Sequence, residues 1–403
     1  MFSRRLSVIA SAVVATGFGL VAQPAIASAR GSSGSPPALN PLSVGCPGSQ
    51  YATISGAVSA AAAGDTITVC PGTYREGVVI PSREPLTLQG IGMPLIDAAG
   101  FDNGVLILAS RSTVEGFSVR NATGEGILAM GMPGMPGTPI TGVTIRDNQV
   151  IHNDQGNPNG SVLSSSPYPE CSGFGRIPGD CGEGIHLMSA DNSTVVSNVV
   201  MDNSGGILLT DEFGPTDGNL VARNVVSGNT LDCGITLAGH NPTAVASNGT
   251  TGGIHDNTIA GNTVTGNGTS GEGAGVLMAT PMPGGGVYSN VVEGNHISGN
   301  GLSGVTLHGH APGQDLNGNS VVANVIGTNN LAGDYDFSPL VDPSTTGILV
   351  ASASPLSITI AGNQISDDRY GIWLTPNVTA NGTRGNRFSA VGTPVSTATY
   401  PAP

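Results

Sequence analysis

Short apolar segments alternate with polar residues at a period of two, and asparagine or glycine separates one segment from the next. The spacing Asn-x-(Val/Ile)-x-x-Asn recurs along the chain at Asn148-Val150-Asn153, Asn198-Val200-Asn203, Asn224-Val226-Asn229, Asn262-Val264-Asn267, Asn295-Ile297-Asn300 and Asn324-Ile326-Asn329. A further copy, Asn363-Ile365, has Asp368 in place of the second asparagine. The segments are too short and too rich in β-branched residues for helices, so they predict short strands joined by sharp turns.

A second motif, Gly-(Ile/Val)-x-(Leu/Val/Met), follows most copies, beginning at Gly184, Gly206, Gly234, Gly275, Gly304, Gly347 and Gly371. Steps of 22 to 43 residues separate these glycines. One such unit cannot bury its apolar side alone, whereas a stack of units can, with asparagines forming ladders at the strand spacing. The repeat therefore predicts an all-β, single-domain parallel β-helix. A sandwich of antiparallel hairpins fits the fixed register less well.

The chain also carries features typical of the ends and insertions of such a solenoid. The stretch "ISGAVSAAAAGD", Ile54 to Asp65, predicts a short N-terminal capping helix. Gly- and Pro-rich stretches at 152–181, 239–253 and 327–346 predict loops inserted into single coils. We divide the chain into a signal peptide (1–29), a flexible segment (30–45), the β-helix (46–390, with cap and first coils to 104 and repeat coils from 105) and a C-terminal tail (391–403).

These repeats resemble the right-handed parallel β-helix proteins of the pectate-lyase-like superfamily, from about Val105 to Phe388. "GDTITVCPGTYREGVVIPSREPLTLQG", Gly64 to Gly90, resembles the first coils of many members, and its Gly72-x-Tyr74-x-Glu76 resembles a pectin methylesterase signature. The other blocks of that family are absent, as are those of polygalacturonases and alginate epimerases. The resemblance implies the fold, and it matches no specific enzyme family.

Net charge and the first residues limit the partners. Arg4 and Arg5, an apolar run and Ala27-Ser28-Ala29 are typical of a secretory signal peptide, which predicts a secreted, extracellular protein with no membrane span. The formal charge of −14 comes with 13 cations, all arginines, which excludes a nucleic-acid partner. A polyanionic substrate would need a bridging cation, for which Ca²⁺ is a possible choice. We predict a monomer without a defined cofactor.

Five cysteines in an oxidising compartment indicate disulfides. We predict the pairs Cys46–Cys70 and Cys171–Cys181, which leave Cys233 buried and free. A pairing of Cys181 with Cys233 is the alternative.

Candidate site residues follow from the register. With each strand's glycine as position zero, positions one and three point inward and positions two and four point outward. The outward set comprises His186, Thr210, Thr236, Thr306, His308 and Trp373. Position six, in the following turn, holds Glu212, His240 and His310, with Asp211 beside Glu212. Position minus one, which we place on the other side of the strand, holds Glu125, Glu183 and Tyr370.

This outer groove predicts the chemistry of a polysaccharide site. We assign Glu212, His240 and His310 as catalytic, because carboxylate and imidazole together perform general acid–base chemistry. His186, Asp211, His308 and Trp373 are assigned to substrate binding, Trp373 by stacking on a sugar ring. An enzyme of this kind would be a polysaccharide lyase or a glycoside hydrolase. The alternative is that exposed strand positions simply carry polar residues, as in a non-catalytic surface or adhesion module.

A copper-handling accessory protein is the other alternative. Met130, Met132 and Met135 have an M-x-M-x-x-M spacing, and we place Met278 and Met282 in the comparable turn of a later coil. Thioethers suit Cu(I), and β-helix proteins accessory to nitrous-oxide reductase resemble this case. Methionine also fills irregular gaps in loops. Apart from this possibility, we predict no metal site.

Overall fold

The computed structural model describes residues 42–82, 85–131, 138–154, 182–241, 252–270, 273–280, 283–309, 311, 313–331 and 345–397. Within these ranges the strands form four stacks in which neighbouring strands pair in parallel, so the predicted all-β parallel β-helix is confirmed. The predicted signal peptide, Cys171, Cys181 and His310 lie outside the described residues.

Four sheets, named here in the order in which the chain visits them, contain these strands. Sheet 1 consists of Leu42–Val44, Thr66–Val69, Thr87–Gly90, Thr113–Glu115, Thr144–Arg146, Thr194–Val196, Leu220–Ala222, Thr258–Ala260, Val291–Glu293, Ser320–Val322, Leu356–Ala361 and Val378–Asn381. Sheet 2 consists of Thr73–Tyr74, Leu95–Asp97, Ser118–Arg120, Gln149–Ile151, Val199–Met201, Val225–Ser227, Thr263–Thr265, His296–Ser298, Val325–Ile326, Gln364–Ser366 and Arg387–Ser389.

Two further sheets complete each coil. Sheet 3 consists of Val78–Ile80, Val105–Ile107, Ile127–Met130, Glu183–Met188, Gly205–Thr210, Ile235–Ala238, Val276–Thr280, Val305–Gly309, Thr346–Ser352, Tyr370–Leu374 and Thr393–Thr397. Sheet 4, between sheets 3 and 1, consists of Ile140–Thr141, Ala190–Asp191, Thr216–Asp217, Ile254–His255 and Val287–Tyr288.

The core lies inside the stack and is built from one or two apolar residues per strand. Val150 and Val200 of sheet 2 and Ile145 of sheet 1 are fully buried in it. Sheet 3 contributes residues such as Ile185 and Leu187, the predicted inward positions one and three. Each strand buries its alternate residue against the coils above and below, which is how short segments together form a continuous core.

Rows of buried asparagines at three corners fix the register between coils. They are Asn219, Asn257, Asn290 and Asn319 before sheet 1; Asn148, Asn198, Asn224, Asn262, Asn295, Asn324, Asn363 and Asn386 before sheet 2; and Asn153, Asn203, Asn229, Asn267, Asn300 and Asn329 before sheet 3. Each asparagine that is followed by another in its row donates its backbone N–H and its side-chain amide to the Oδ1 of that next asparagine. The predicted amide ladders therefore exist, and they satisfy buried donors that would otherwise be costly.

Glycine opens most sheet 3 strands because the corner leaves no room for a side chain. A Cβ added at Gly184 would lie 2.3 Å from Cγ1 of Val200, well inside contact distance. The Gly-(Ile/Val) motif thus marks the close approach of sheets 2 and 3.

The N-terminal end is closed by the predicted capping helix, which spans Ile54–Ala60. Thr53 caps it by accepting a hydrogen bond from the backbone N–H of Gly56 at 3.1 Å. The carboxylate of Glu76 accepts from the backbone N–H groups of Ile54 and Ser55, both at 2.8 Å. The Gly72-x-Tyr74-x-Glu76 motif therefore serves the cap, since an anionic side chain at a helix N-terminus satisfies its unpaired donors.

The strands extend slightly beyond the predicted β-helix at both ends. Leu42–Val44 pairs with sheet 1, and Thr393–Thr397 pairs with Tyr370–Leu374 inside the predicted tail. The predicted Cys46–Cys70 disulfide is present, with its Cα atoms 5.0 Å apart, and Cys233 is free and buried. No helix in the described ranges is long and apolar enough to cross a membrane.

Replacing a rung inside the ladder should destabilise the fold. In Asn262→Ala, the Nδ2 and backbone N–H of Asn224 lose their shared acceptor, now 3.0 and 2.9 Å away, and remain buried. We expect a loss of about 2–4 kcal/mol in the free energy of unfolding, measured by denaturant titration. The exposed Asn381→Ala is the control, and equal effects of the two changes would contradict a structural role for the ladder.

Removing the disulfide should loosen the cap. Replacing Cys46 and Cys70 by serine should lower the free energy of unfolding by about 2–4 kcal/mol, because the unfolded chain is then less constrained. Thermal unfolding of the oxidised protein and the variant checks this, and equal midpoints would contradict it.

Asp368, which follows Asn329 in the row before sheet 3, should make the free energy of unfolding depend on pH. Burial, opposed by a hydrogen bond from the N–H of Asn329 and reinforced by Asp367, raises the pKa of Asp368 to about 7. The folded state therefore favours the protonated carboxyl, so the contribution of Asp368 to stability is lost as pH rises from about 4 to about 7.

Asp368→Asn keeps the acceptor for Asn329 and cannot ionise. It should raise the free energy of unfolding by about 1–3 kcal/mol at pH 8 and have little effect at pH 4. Denaturant titrations at both pH values, with the exposed Asp102→Asn as control, measure the difference. A gain confined to acid pH would have the wrong sign.

Candidate functional site

The outer side of sheet 3 carries the polar residues singled out by the register, and these are buried. His186, Thr210 and Thr306 have no exposed surface, and His308 is 6% exposed. The expectation of an open groove along positions two and four is therefore wrong. Instead, these side chains lie in a buried layer outside the main core, where each polar atom needs a partner.

A chain of hydrogen bonds begins in this layer at Glu125. Its Oε1 lies 3.1 Å from Nδ1 of His186, and Nε2 of His186 lies 2.8 Å from Oγ1 of Thr210. His186 was predicted to contact substrate. His186 is fully buried, and both of its ring nitrogens have partners inside the protein, so its ring is not open to a substrate at the surface.

Glu212 and His240, from successive coils, are in direct contact. Oε1 of Glu212 lies 2.6 Å from Nδ1 of His240, as the shared position six requires. Burial raises the pKa of Glu212, but the charge of His240 and its hydrogen bond, together with His186 and a hydrogen bond from Thr210, lower it below its usual range. Glu212 is therefore the ionised partner of His240.

Exposure divides the pair into an inner and an outer member. The side chain of Glu212 is 3% exposed, whereas that of His240 is 18% exposed. Of the two, His240 is the group that a bound molecule can reach.

Asp211 holds the backbone that carries His240. Its Oδ1 accepts hydrogen bonds from the N–H of His240 at 2.7 Å and of Asn241 at 3.0 Å. Burial and the charge of Glu212 raise the pKa of Asp211 to about 7, against the lowering effect of those hydrogen bonds and of His240. Asp211 is fully buried, so its predicted contact with substrate is replaced by a positioning role.

Glu183 joins Glu125 and His186 in a cluster that the sequence pattern did not predict. One ligand atom from each lies within 4.8 Å of the others, and all three residues are buried. The sequence predicted position minus one on the other side of the strand from His186. That is incorrect, because Glu183 and His186 are three residues apart and yet lie in one cluster, so regular alternation fails between them.

A small polar cavity lies beside this cluster, at the corner between sheets 2 and 3. It has a volume of about 170 Å³ and is lined by Asn153, Asp154, Asp202, Asn203, Ser204, Thr230 and Leu231. Burial raises the pKa of Asp154 to about 8; the hydrogen bond from Ser204 opposes this and the charge of Glu125 adds to it. Asp154 is therefore mainly protonated at neutral pH.

The other predicted site residues lie further along the stack. His308 is on a strand two places beyond that of Ala238, roughly 10 Å at the usual strand spacing. Trp373 lies five places beyond Leu208, roughly 24 Å away, and its ring is 4.7 Å from that of Tyr370. Neither belongs to the Glu212–His240 pair.

The predicted methionine constellation does not form in the described part of the chain. Met278 faces the main core, because it occupies position three after Gly275, an inward position. Met130 packs on the opposite side of sheet 3 with Leu128 and Met188. Met132, Met135 and Met282 are outside the described residues.

Sequence comparison decides the family. The family profile described as "Periplasmic copper-binding protein (NosD)" matches residues 109–336, more than half of the chain. The chain belongs to the NosD family. The NosD match includes Glu125, His186, Glu212 and His240 and excludes Trp373. Among proteins with curated functions, none matches the sequence.

Solved structures share the fold of this NosD family member. The A-module of mannuronan C-5 epimerase AlgE4 from Azotobacter vinelandii is 15% identical, with a TM-score of 0.54, over 89% of this chain and 99% of that one. An alginate lyase from Paenibacillus sp. is 11% identical, with a TM-score of 0.50, over 77% of this chain and 91% of that one. At these identities the likeness concerns the fold alone.

Proposed function

We propose that the protein binds an extracellular polysaccharide at the outer edge of sheet 3 and that His240 transfers a proton to or from the bound sugar. The 2.6 Å contact between Glu212 and His240 carries this proposal. An imidazole at a partly exposed edge, backed by a buried carboxylate, is the arrangement used for general acid–base catalysis. The periplasmic description of the family supports a location outside the cytoplasm.

The two members of the pair have different roles. An ionised carboxylate only accepts hydrogen bonds, so Glu212 places the proton of neutral His240 on Nδ1. Nε2 then carries the lone pair that accepts a proton from the sugar or from water. Asp211 fixes the backbone beneath the ring. Proton abstraction next to a carboxyl group would give a lyase, and activation of water would give a hydrolase.

Net charge narrows the substrate. The chain carries −14, so a neutral polysaccharide, or an acidic one bridged by Ca²⁺, is favoured over a free polyanion. His310, which the sequence predicts as catalytic, lies outside the described residues, and His308, predicted to bind substrate, is buried. The partly exposed Trp373 offers a stacking surface further along the stack.

Variants of the pair test the proposal. The wild-type protein is assayed on a neutral β-glucan and on alginate with and without Ca²⁺, with reducing ends and unsaturated products as readouts. His240→Ala and Glu212→Gln should each lower turnover by about 10² or more, because the proton-transfer group or its orientation is lost. His296→Ala, an exposed histidine on sheet 2, is the matched control and should remain at the wild-type rate.

Two results would count against acid–base catalysis. If folded His240→Ala retains full turnover, the pair is not the active group. If the wild type binds a polysaccharide without changing it, the protein is a surface-binding module of the kind that the sequence also allows.

Metal handling is a second candidate, favoured by the family description as copper-binding. The donor atoms of the described residues indicate which oxidation state of copper they suit. Thioethers suited to Cu(I) do not converge among the described methionines, since Met130 and Met278 lie on opposite sides of sheet 3. Carboxylate and imidazole donors, which suit Cu(II), do converge at Glu125, Glu183 and His186. The described residues therefore suit Cu(II) better than Cu(I).

A further inference from the structure

The Glu125–Glu183–His186 cluster has the geometry of a ligand set. It deepens the metal-handling candidate and rests on it, but not on sugar turnover by His240. We propose that these three residues bind one divalent first-row transition ion, with Cu²⁺ preferred over Zn²⁺. Their ligand atoms already lie within 4.8 Å of one another. Ligands of a shared tetrahedral ion are roughly 3.4 Å apart, so shifts of about 1 Å complete the set.

The hydrogen bonds of Thr210 orient His186 toward the cluster. Oγ1 of Thr210 lies 2.8 Å from Nε2 of His186 and is able to accept a hydrogen bond from it. A metal ion on Nδ1 requires the proton of neutral His186 to be on Nε2, and Thr210 stabilises that tautomer. In this tautomer the lone pair of Nδ1 faces Glu125.

In that tautomer the lone pair of Nδ1 and a carboxylate oxygen repel each other, and a cation bound between them removes the repulsion. Nδ1 of His186 lies 3.1 Å from Oε1 of Glu125, and Glu183 brings a second carboxylate to the same place. A bound cation satisfies all three groups, with Thr210 as the outer partner that fixes the imidazole. The competing occupant is a second proton on His186, which would give a cluster without affinity for metal.

The second carboxylate oxygen of Glu125 supports a ligand independently. Oε2 of Glu125 is buried and accepts no hydrogen bond from any residue in the described ranges, and Glu125 as a whole is 1% exposed. A buried carboxylate oxygen without a partner is costly, and coordination to a cation removes that cost.

The donors also select among ions. One imidazole and two carboxylates suit Cu²⁺ or Zn²⁺, and affinity for such sites rises to Cu²⁺ in the first-row series. Ca²⁺ prefers six to eight oxygen ligands, more than the cluster supplies. Cu⁺ prefers sulfur.

Titration of the chelator-treated protein with Cu²⁺, Zn²⁺ and Ca²⁺ tests the proposal, with heat and thermal stability as readouts. The wild type should bind one Cu²⁺ per chain at this site and melt at a higher temperature when loaded. Glu125→Gln and His186→Gln should weaken Cu²⁺ affinity by about 100-fold or more, since even outer partners of a metal contribute 10- to 100-fold. The nitrogen coupling in the Cu²⁺ electron paramagnetic resonance spectrum should disappear in His186→Gln.

Controls separate this site from other sites and from the polysaccharide proposal. Glu293→Gln, exposed on sheet 1, and His240→Ala should both keep wild-type Cu²⁺ affinity. If a variant fails to fold by circular dichroism, Glu183→Gln replaces it. Absence of tight Cu²⁺ or Zn²⁺ binding by the wild type, unchanged affinity in Glu125→Gln, or Ca²⁺ binding as tight as Zn²⁺ would each overturn the assignment, whatever the result of the His240 assay.

Discussion

The hydrogen bond from one asparagine to the next is the interaction on which the rest of this structure depends. Asn224, Asn262 and Asn295 are far apart in sequence, yet each rung takes its position from the one after it. Because the rungs repeat at three corners, a coil cannot slip relative to its neighbours without leaving several buried amides unpaired. This fixed register is what brings Glu212 to His240 across coils whose sequence lengths differ.

The layer outside sheet 3 shows what the ladders make possible. A register held at the corners allows the outer side of a sheet to contain groups that would be unfavourable elsewhere. Glu125, Asp211 and Glu212 are all buried there, and Asp211 has a raised pKa because burial and a neighbouring charge oppose its ionisation. The stability that the repeats supply offsets the free-energy cost of burying these ionisable groups. Buried groups with strongly shifted pKa values are typical of functional sites.

Sequence periodicity predicted the repeat, the ladders and the contact between Glu212 and His240, because all three depend only on counting from the motif glycines. The ladder before sheet 1 was missed, although Asn219 and Asn257 each precede a recognised rung by five residues. Burial of His186 could not be predicted from alternation, which distinguishes the two sides of a strand but not what covers them. The predicted side of Glu183 was wrong because alternation fails between Glu183 and His186. The predicted turn position of Met278 was wrong because position three after Gly275 points into the main core.

Asp368 ends the asparagine row before sheet 3. An asparagine both accepts from the preceding rung and donates to a following one, so a row of asparagines can be extended by any chain that presents another. Oδ1 of Asp368 accepts from the backbone N–H of Asn329, and the backbone N–H of Gly392 in the next coil donates to the carbonyl of Asp368. The row therefore stops one coil before the last strands, Arg387–Ser389 and Thr393–Thr397, which pair with the stack beyond Asp368. The register of that last coil consequently depends on its backbone pairing and on a single asparagine pair, Asn363 and Asn386.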